Sequence, residues 1–191
     1  VPNLRRHQRR PKNHHSKGFG LNLPLPMISV SVSASALHAA LPKLCPCGGA
    51  PTAMKRKGAE AAFADCCGRY IVQEQLPPDA LHLMRSRYTA FVLENEAYLL
   101  RTWQAAFRPS SLAFEAGAKW LGLEIKDFVQ TGMKDGHETA EVEFVARVRV
   151  AGKANRLHER SRFVCEEGQW QYATAVLSPS FKNARQALVS S

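Results

Sequence analysis

Four of the five cysteines in this 191-residue chain fall in two tight pairs. One pair lies in Cys45-Pro46-Cys47-Gly48-Gly49. The other opens Cys66-Cys67-Gly68-Arg69-Tyr70, and a basic spacer separates them. A stretch this poor in apolar side chains cannot build a core of its own. A structural Zn²⁺ takes four ligands in a tetrahedron and favours thiolate, and two tight turns supply four ligands with little chain. A disulfide within either pair would be strained, because bridged cysteines need a specific Cα separation and dihedral. Bridges between the pairs stay open for an oxidising compartment. A redox dithiol is expected as Cys-x-x-Cys beside a βαβ pattern, and the chain lacks that form. An inert set of thiols is the remaining alternative. The spacing favours metal, which would then supply most of the module's folding free energy. Gly48, Gly49 and Gly68 permit the turns that bring the sulfurs together.

Charge is distributed unevenly. The net charge is +10, yet residues 1–59 hold ten Lys/Arg and no Asp/Glu, and residues 60–191 hold sixteen of each. The part that folds is therefore neutral and advertises no basic groove for nucleic acid. Weak contact with nucleic acid or another polyanion is expected only from the tail and from Lys55, Arg56 and Lys57 beside the cysteines. No run of 18 apolar residues exists, so no transmembrane segment is expected.

Residues 1–41 read as a basic, disordered tail, with Arg5, Arg6, Arg9 and Arg10 among Pro, Asn and His. Three readings of it stay open. It is a secretory signal with Ala34-Ser35-Ala36 as the cleavage site, an acid-free organelle presequence, or an over-extended start with Met27 as the true first residue. Residues 42–75 carry the cysteine module, 76–178 an α+β domain, and 179–191 a flexible C-terminal tail.

Within the domain, Pro77-Pro78-Asp79 opens a helix, since proline suits the first turn and Asp the positive end. Leu81, Met84, Tyr88, Phe91 and Val92 recur at helical spacing, and Leu99, Leu100 and Trp103 continue the period beyond a polar break at Glu94-Asn95-Glu96. Helices are expected over 79–93 and 96–106, with 111–118 ambiguous between short helix and loop. From Trp120 the period becomes two. Leu121, Leu123 and Ile125 are read on one face, with Glu124 and Lys126 on the other. Residues 141–150 form the clearest strand, with Val142, Phe144, Ala146, Val148 and Val150 facing one way. Further strands are expected over 156–166 and 170–177, separated by turn signals at Asp135-Gly136, Ala151-Gly152 and Glu167-Gly168. Helices first and an antiparallel meander after them make an α+β fold.

The cysteine stretch resembles the SEC-C zinc motif as found at the start of YchJ-family proteins. The likeness continues in Leu83-Met84-Arg85-Ser86-Arg87-Tyr88, Tyr98-Leu99-Leu100-Arg101-Thr102-Trp103, Val142-Glu143-Phe144-Val145-Ala146-Arg147 and Glu159-Arg160-Ser161-Arg162-Phe163. It covers roughly residues 42–177. The resemblance implies a zinc-binding module with Cys45, Cys47, Cys66 and Cys67 as ligands. It also implies a domain with the nuclear-transport-factor-2-like fold, a curved antiparallel sheet closed into a cone over N-terminal helices, and it implies no reaction. The family's spacer is short. Here it runs from Gly48 to Asp65, and residues 50–57 look like an insertion. Lengthening a loop costs only modest closure entropy.

A cone closed by helices makes a pocket, and pockets are default ligand sites. Neither face of strand 156–166 is purely apolar, which points to buried ion pairs or a polar cavity. Candidate pocket residues are Arg85, Tyr88, Trp103, Arg147, His158, Arg160 and Arg162. The competing expectation for Arg147, His158, Arg160 and Arg162 is an ion-pair ladder on the outer sheet face. One of Arg85 and Arg87 is expected to reach an anion, or else both are surface charge. No phosphate loop, nucleophile elbow or metal-hydrolase motif is present. The leading expectation is a cytoplasmic zinc-binding adaptor with a protein partner. The alternative is a small-ligand binder or enzyme using the pocket, with the zinc module structural.

Overall fold

The structure is a computed structural model that describes residues 41–49 and 61–176. The expectations for the tail at 1–40, the basic residues Lys55, Arg56 and Lys57, and the C-terminal segment 179–191 lie outside the described residues.

The described elements run α1 (Gly68–Ile71), α2 (Ala80–Val92), α3 (Glu96–Arg101), a 3₁₀ turn (Ala105–Phe107), then β1 (Lys119–Lys134), β2 (His137–Val150), β3 (Lys153–Glu166) and β4 (Gln169–Ala175). The four strands form one antiparallel sheet in the order β1-β2-β3-β4. Each hairpin closes in two residues, and both residues of each turn have positive φ: 51° and 82° at Asp135-Gly136, 47° and 80° at Ala151-Gly152, 51° and 76° at Glu167-Gly168. That conformation matches the right-handed strand twist, and a glycine in second place makes it cheap. The three turn signals in the sequence therefore lie where the chain reverses. No regular element forms across 111–118.

The helix starts are capped as their residues dictate. Asp79 Oδ1 accepts from the His82 backbone N–H at 2.7 Å, and Asn95 Oδ1 from that of Tyr98 at 2.9 Å. These satisfy donors that the first helical turn leaves orphaned. Asn95, read as part of a polar break, is thus the cap of α3.

Two expectations need correcting. The period-two face of β1 does not run unbroken. Register shifts against β2 fall between Trp120 and Gly122, Ile125 and Asp127, and Gln130 and Gly132. An extra residue at a bulge flips the phase of every side chain beyond it. Leu121 consequently stands exposed, and Trp120, Leu123, Ile125 and Phe128 pack on the core. The bulges also bend the sheet into a curve. Second, α2 is not amphipathic with a charged outer face. From Leu83 to Ala90 every residue is buried, including Arg85 and Arg87. The helix has no solvent side because the cysteine module covers it opposite the sheet, and both regions join one continuous core with Leu83, Tyr98, Leu99, Val142 and Phe163 at its centre.

Candidate metal centre and cavity

The two cysteine turns are zipped together by a short antiparallel bridge at Leu44 and Ala62. Cys45 N–H donates to Ala61 O at 2.8 Å and Phe63 N–H to Lys43 O at 3.0 Å. The ends of the long spacer thus meet irrespective of its length. Behind the first pair, Gly48 turns back with φ 78° and its N–H reaches Cys45 O at 3.0 Å. Behind the second, the N–H groups of Cys66 and Gly68 both donate to Phe63 O. A Cβ on Gly68 would lie 2.6 Å from that oxygen, so only glycine allows this approach.

These turns bring Cys45, Cys47, Cys66 and Cys67 together with all four Sγ atoms within 4.8 Å of one another. The separations are 3.4 Å from Cys45 to Cys47, 3.6 Å from Cys47 to Cys66 and 4.0 Å from Cys66 to Cys67. A tetrahedron with metal–sulfur bonds of about 2.3 Å has edges of about 3.8 Å. The donor set fits a four-thiolate metal ion, and no thiol is engaged in a disulfide. Cys45, Cys47 and Cys67 are buried. Crowded thiols share protons: donation from Cys47, Cys66 and Cys67 pulls the Cys45 thiol well below its ordinary range. Cys66, as donor to Cys45 and Cys47, and Cys67, as donor to Cys45, Cys47 and Cys66, are pushed up. Cys47, which Cys45 raises and the hydrogen bonds of Cys66 and Cys67 lower, settles at about 7. Of the four, the thiol favoured to lose its proton first is Cys45.

Helix α2 forms the wall behind the sulfurs. Thr89 Oγ1 lies 3.8 Å from Cys45 Sγ. Arg85 is 8 % exposed, donates from Nη2 to Cys47 O at 3.2 Å, and leaves Nε buried with no acceptor. Among the described residues no carboxylate pairs with it. A buried cation without a counter-anion is costly unless its surroundings supply negative charge. Four thiolates around a divalent ion carry two net negative charges, so this orphaned guanidinium fits a loaded metal site.

The opposite side of α2 borders a cavity of about 370 Å³. Its lining is aromatic and aliphatic, with Tyr88, Phe91, Trp103, Trp120, Phe144 and Leu157 prominent and the exposed Phe107 contributing to its wall. Arg87, Glu159, Ser161 and Tyr172 are its polar members. Arg87 is 3 % exposed and packs against two mutually perpendicular rings, its Cζ 5.0 Å from the Trp103 centroid and 4.7 Å from that of Tyr172. Nη1 donates to Leu99 O at 2.7 Å and to Thr102 Oγ1 at 2.8 Å. Burial lowers its pKa to about 10, which leaves it charged at neutral pH. Glu159 Oε1 accepts from Ser161 Oγ at 2.7 Å and from the Tyr172 hydroxyl at 3.3 Å.

Of the seven candidate pocket residues, the structure brings Tyr88 and Trp103 to this cavity. Arg85 is directed to the cysteine turn instead. Arg147, His158, Arg160 and Arg162 lie on the other face of the sheet, which corrects their placement in a pocket. The reason is parity. Leu157, Ser161 and Phe163 take the core face, so the even-numbered residues of β3 must point outward. There Arg160 reaches Asp127 at 2.6 Å and Glu143 at 2.7 Å, His158 meets Glu143 at 2.7 Å, Arg162 meets Glu141 at 3.2 Å, and Arg147 meets Glu124 at 3.0 Å. Cross-strand registry sets two of these pairs, with Arg160 opposite Glu143 and Arg162 opposite Glu141. Hydrogen bonds from His158 and Arg160 hold the Glu143 carboxyl below its usual range. Glu159 is the functional candidate that reading for positive charge passed over. Its signal was present: a carboxylate in phase with Leu157, Phe163 and Cys165.

Residues 79–175 match the family model described as YchJ, middle NTF2-like domain. A UPF0225 protein of Polaromonas naphthalenivorans is 52 % identical over 130 residues, spanning 67 % of this chain and 93 % of its own. A UPF0225 protein of Bordetella bronchiseptica is 49 % identical over 138 residues, spanning 71 % and 93 %. Among solved structures, a SEC-C motif containing protein from Psychrobacter arcticus aligns with a TM-score of 0.55 at 29 % identity, covering 71 % of this chain and 84 % of that one. A second, from Rhodopseudomonas palustris, gives 0.51 at 25 % identity, covering 63 % and 95 %. Among the described residues no helix is long and apolar enough to cross a membrane.

Proposed function

The chain belongs to the YchJ family (UPF0225), and from that premise we propose that it is a small-ligand-binding protein whose four-cysteine module is a zinc staple. The observation that carries this reading is the cavity: about 370 Å³ of aromatic-lined space containing a buried arginine. Sites that take small molecules run from about 300 to 1,000 Å³, mostly apolar with a few convergent polar groups. In this reading the curved sheet closes over α2 and α3 as the cone of the nuclear-transport-factor-2-like fold.

Zinc, held by Cys45, Cys47, Cys66 and Cys67, would supply a closed structural centre with no open coordination position. Its work is mechanical: it fixes the turns that cover α2, and α2 is the cavity's back wall. Four metal-bound thiolates suit a reducing compartment, which keeps the cytoplasm as the proposed location. An adaptor role resting on Lys55, Arg56 and Lys57 has no comparable support, since those residues lie outside the described part of the chain.

The test has two parts. Elemental mass spectrometry of the purified full chain is expected to find about one zinc per molecule, with four further thiols titrating after chelation. A small-molecule screen by thermal shift on the metal-loaded chain is expected to yield binders that fail against Leu157→Trp, which fills the cavity from β3. Binders indifferent to that substitution, or none in folded protein, would refute the cavity reading. Two disulfides and no metal would refute the staple.

A further inference from the structure

We propose that the cavity takes a flat apolar molecule carrying a carboxylate, and that Arg87 receives that carboxylate side-on. This rests on the cavity being a ligand site and names what enters it.

Arginine offers five N–H groups in a planar fork. In Arg87 the two on Nη1 go to Leu99 O and Thr102 Oγ1. The rings of Trp103 and Tyr172, perpendicular to each other, pack against the group. What remains is the edge formed by Nε and Nη2, which has no acceptor among the described residues. Neither atom is walled off: among the described residues the sealed, unpartnered side-chain atoms are Arg85 Nε, Trp103 Nε1 and Gln171 Oε1. The free edge of a buried, charged arginine therefore meets the cavity. Two parallel N–H donors match the two oxygens of a carboxylate, and a desolvated site rewards that geometry more than any single contact.

Glu159 does not take this place. It faces the same space, yet no ion pair joins it to Arg87, and Ser161 and Tyr172 occupy its Oε1. The cavity thus holds a cation and an anion that feel each other without forming an ion pair, with Tyr172 in contact with both. A ligand bearing its negative charge at the arginine end and a ring between them satisfies that arrangement. The ring finds edge-on aromatic partners, because Tyr88 and Phe91 already pack this way, against Trp120 and Phe114 respectively.

The experiment compares three isosteric probes, 2-naphthoate, 2-naphthamide and 2-naphthylmethylamine, by calorimetry on the zinc-loaded full chain. Hydrogen bonds to a charged group favour the acid over the amide by about 10–100-fold. Arg87→Met, checked for fold by near-ultraviolet circular dichroism, is expected to bind acid and amide equally. Arg87→Lys, which keeps the charge but not the fork, should retain only part of the preference. Glu159→Gln should tighten naphthoate several-fold by removing a nearby negative charge. Equal binding of acid and amide by the wild type, or tightest binding of the amine, would overturn the assignment and leave the cavity standing as a ligand site. Binding of none of the three would bring down both. Should Arg87→Met fail to fold, the wild-type preference and Arg87→Lys still decide the matter.

Discussion

Replacing Arg85 by methionine should weaken the hold on the metal and, in the same protein, spare or raise the stability of the metal-free state. The opposite signs follow from where the charge sits. Arg85 is 8 % exposed, its one hydrogen bond goes to Cys47 O at 3.2 Å, and its Nε has no acceptor. Without metal it is a buried cation short of a partner, and methionine of similar length relieves that cost. With metal, it faces a centre of net charge −2. At an effective dielectric of about 20 two unit charges about 4 Å apart attract by about 4 kcal/mol, so a centre of charge −2 beyond the Cys47 carbonyl attracts by several kcal/mol at most. Loss of an outer-shell partner at metal sites costs about 10–100-fold in affinity, or about 1.4–2.7 kcal/mol, and this lower figure is the one to expect. Backbone dipoles and the Thr89 hydroxyl, 3.8 Å from Cys45 Sγ, take over part of the field. The assay is zinc competition against a chromophoric chelator, with thermal unfolding run in zinc and in chelator. A drop of less than twofold in affinity would refute the reasoning. So would a metal-free form that melts well below the wild type, because Arg85 would then be supporting the fold and not the metal.

Three further outcomes are expected. The Ser86 hydroxyl donates to Leu83 O at 2.8 Å, so the Tyr98 hydroxyl, 2.6 Å away, must be the donor between them. Ser86→Ala strands a buried phenol and should cost about 1–3 kcal/mol, whereas Tyr98→Phe should cost about 1 kcal/mol, read by urea denaturation; equal costs would refute the donor assignment. Gly68→Ala places a Cβ 2.6 Å from Phe63 O and should lower zinc affinity while leaving the far-ultraviolet spectrum of the sheet unchanged; unaltered zinc affinity would show that the turn yields freely. Acid should loosen the outer sheet face. Hydrogen bonds hold Glu143 and Asp127 below their usual range, through His158 and Arg160 for the first and Arg160 for the second, and Lys126 and Arg147 hold Glu124 at about 2. Lowered carboxyl pKa values contribute stability that is complete above the unfolded value of about 4.3 and is lost as pH falls through the folded ones. A Glu143→Gln variant should therefore show a shallower loss of stability between about pH 4.5 and 2; an unchanged slope would mean that water screens these exposed pairs completely.

Much of the fold was legible because its signals are local. Each x-Gly pair at the three hairpins marks a backbone state that few other residue pairs adopt, and the alternation in 141–150 needs no partner to be read. The cysteine spacing is likewise local, since a tetrahedral site accepts few geometries. The outer ion-pair ladder could be stated as an alternative but not chosen, because choosing requires knowing which parity of β3 meets the helices. The bulges of β1 left no separate mark that alternation could reveal, so Leu121 was assigned to the wrong face.

What the sequence determined by itself is the α+β order, the hairpin positions and the identity of four thiols able to share one metal. What only tertiary structure decided is the fate of the charged residues on α2. A helix carrying Arg85 and Arg87 two positions apart reads as having a solvated side, because burying a guanidinium is expensive in isolation. Here the cysteine module covers one side of that helix and the sheet the other, so both arginines are buried. Arg85 is left at the sulfurs and Arg87 in the cavity. The cost of burying each is set by groups distant in sequence, the cysteine turn for Arg85 and Leu99, Thr102, Trp103 and Tyr172 for Arg87, and no window of neighbouring residues contains them.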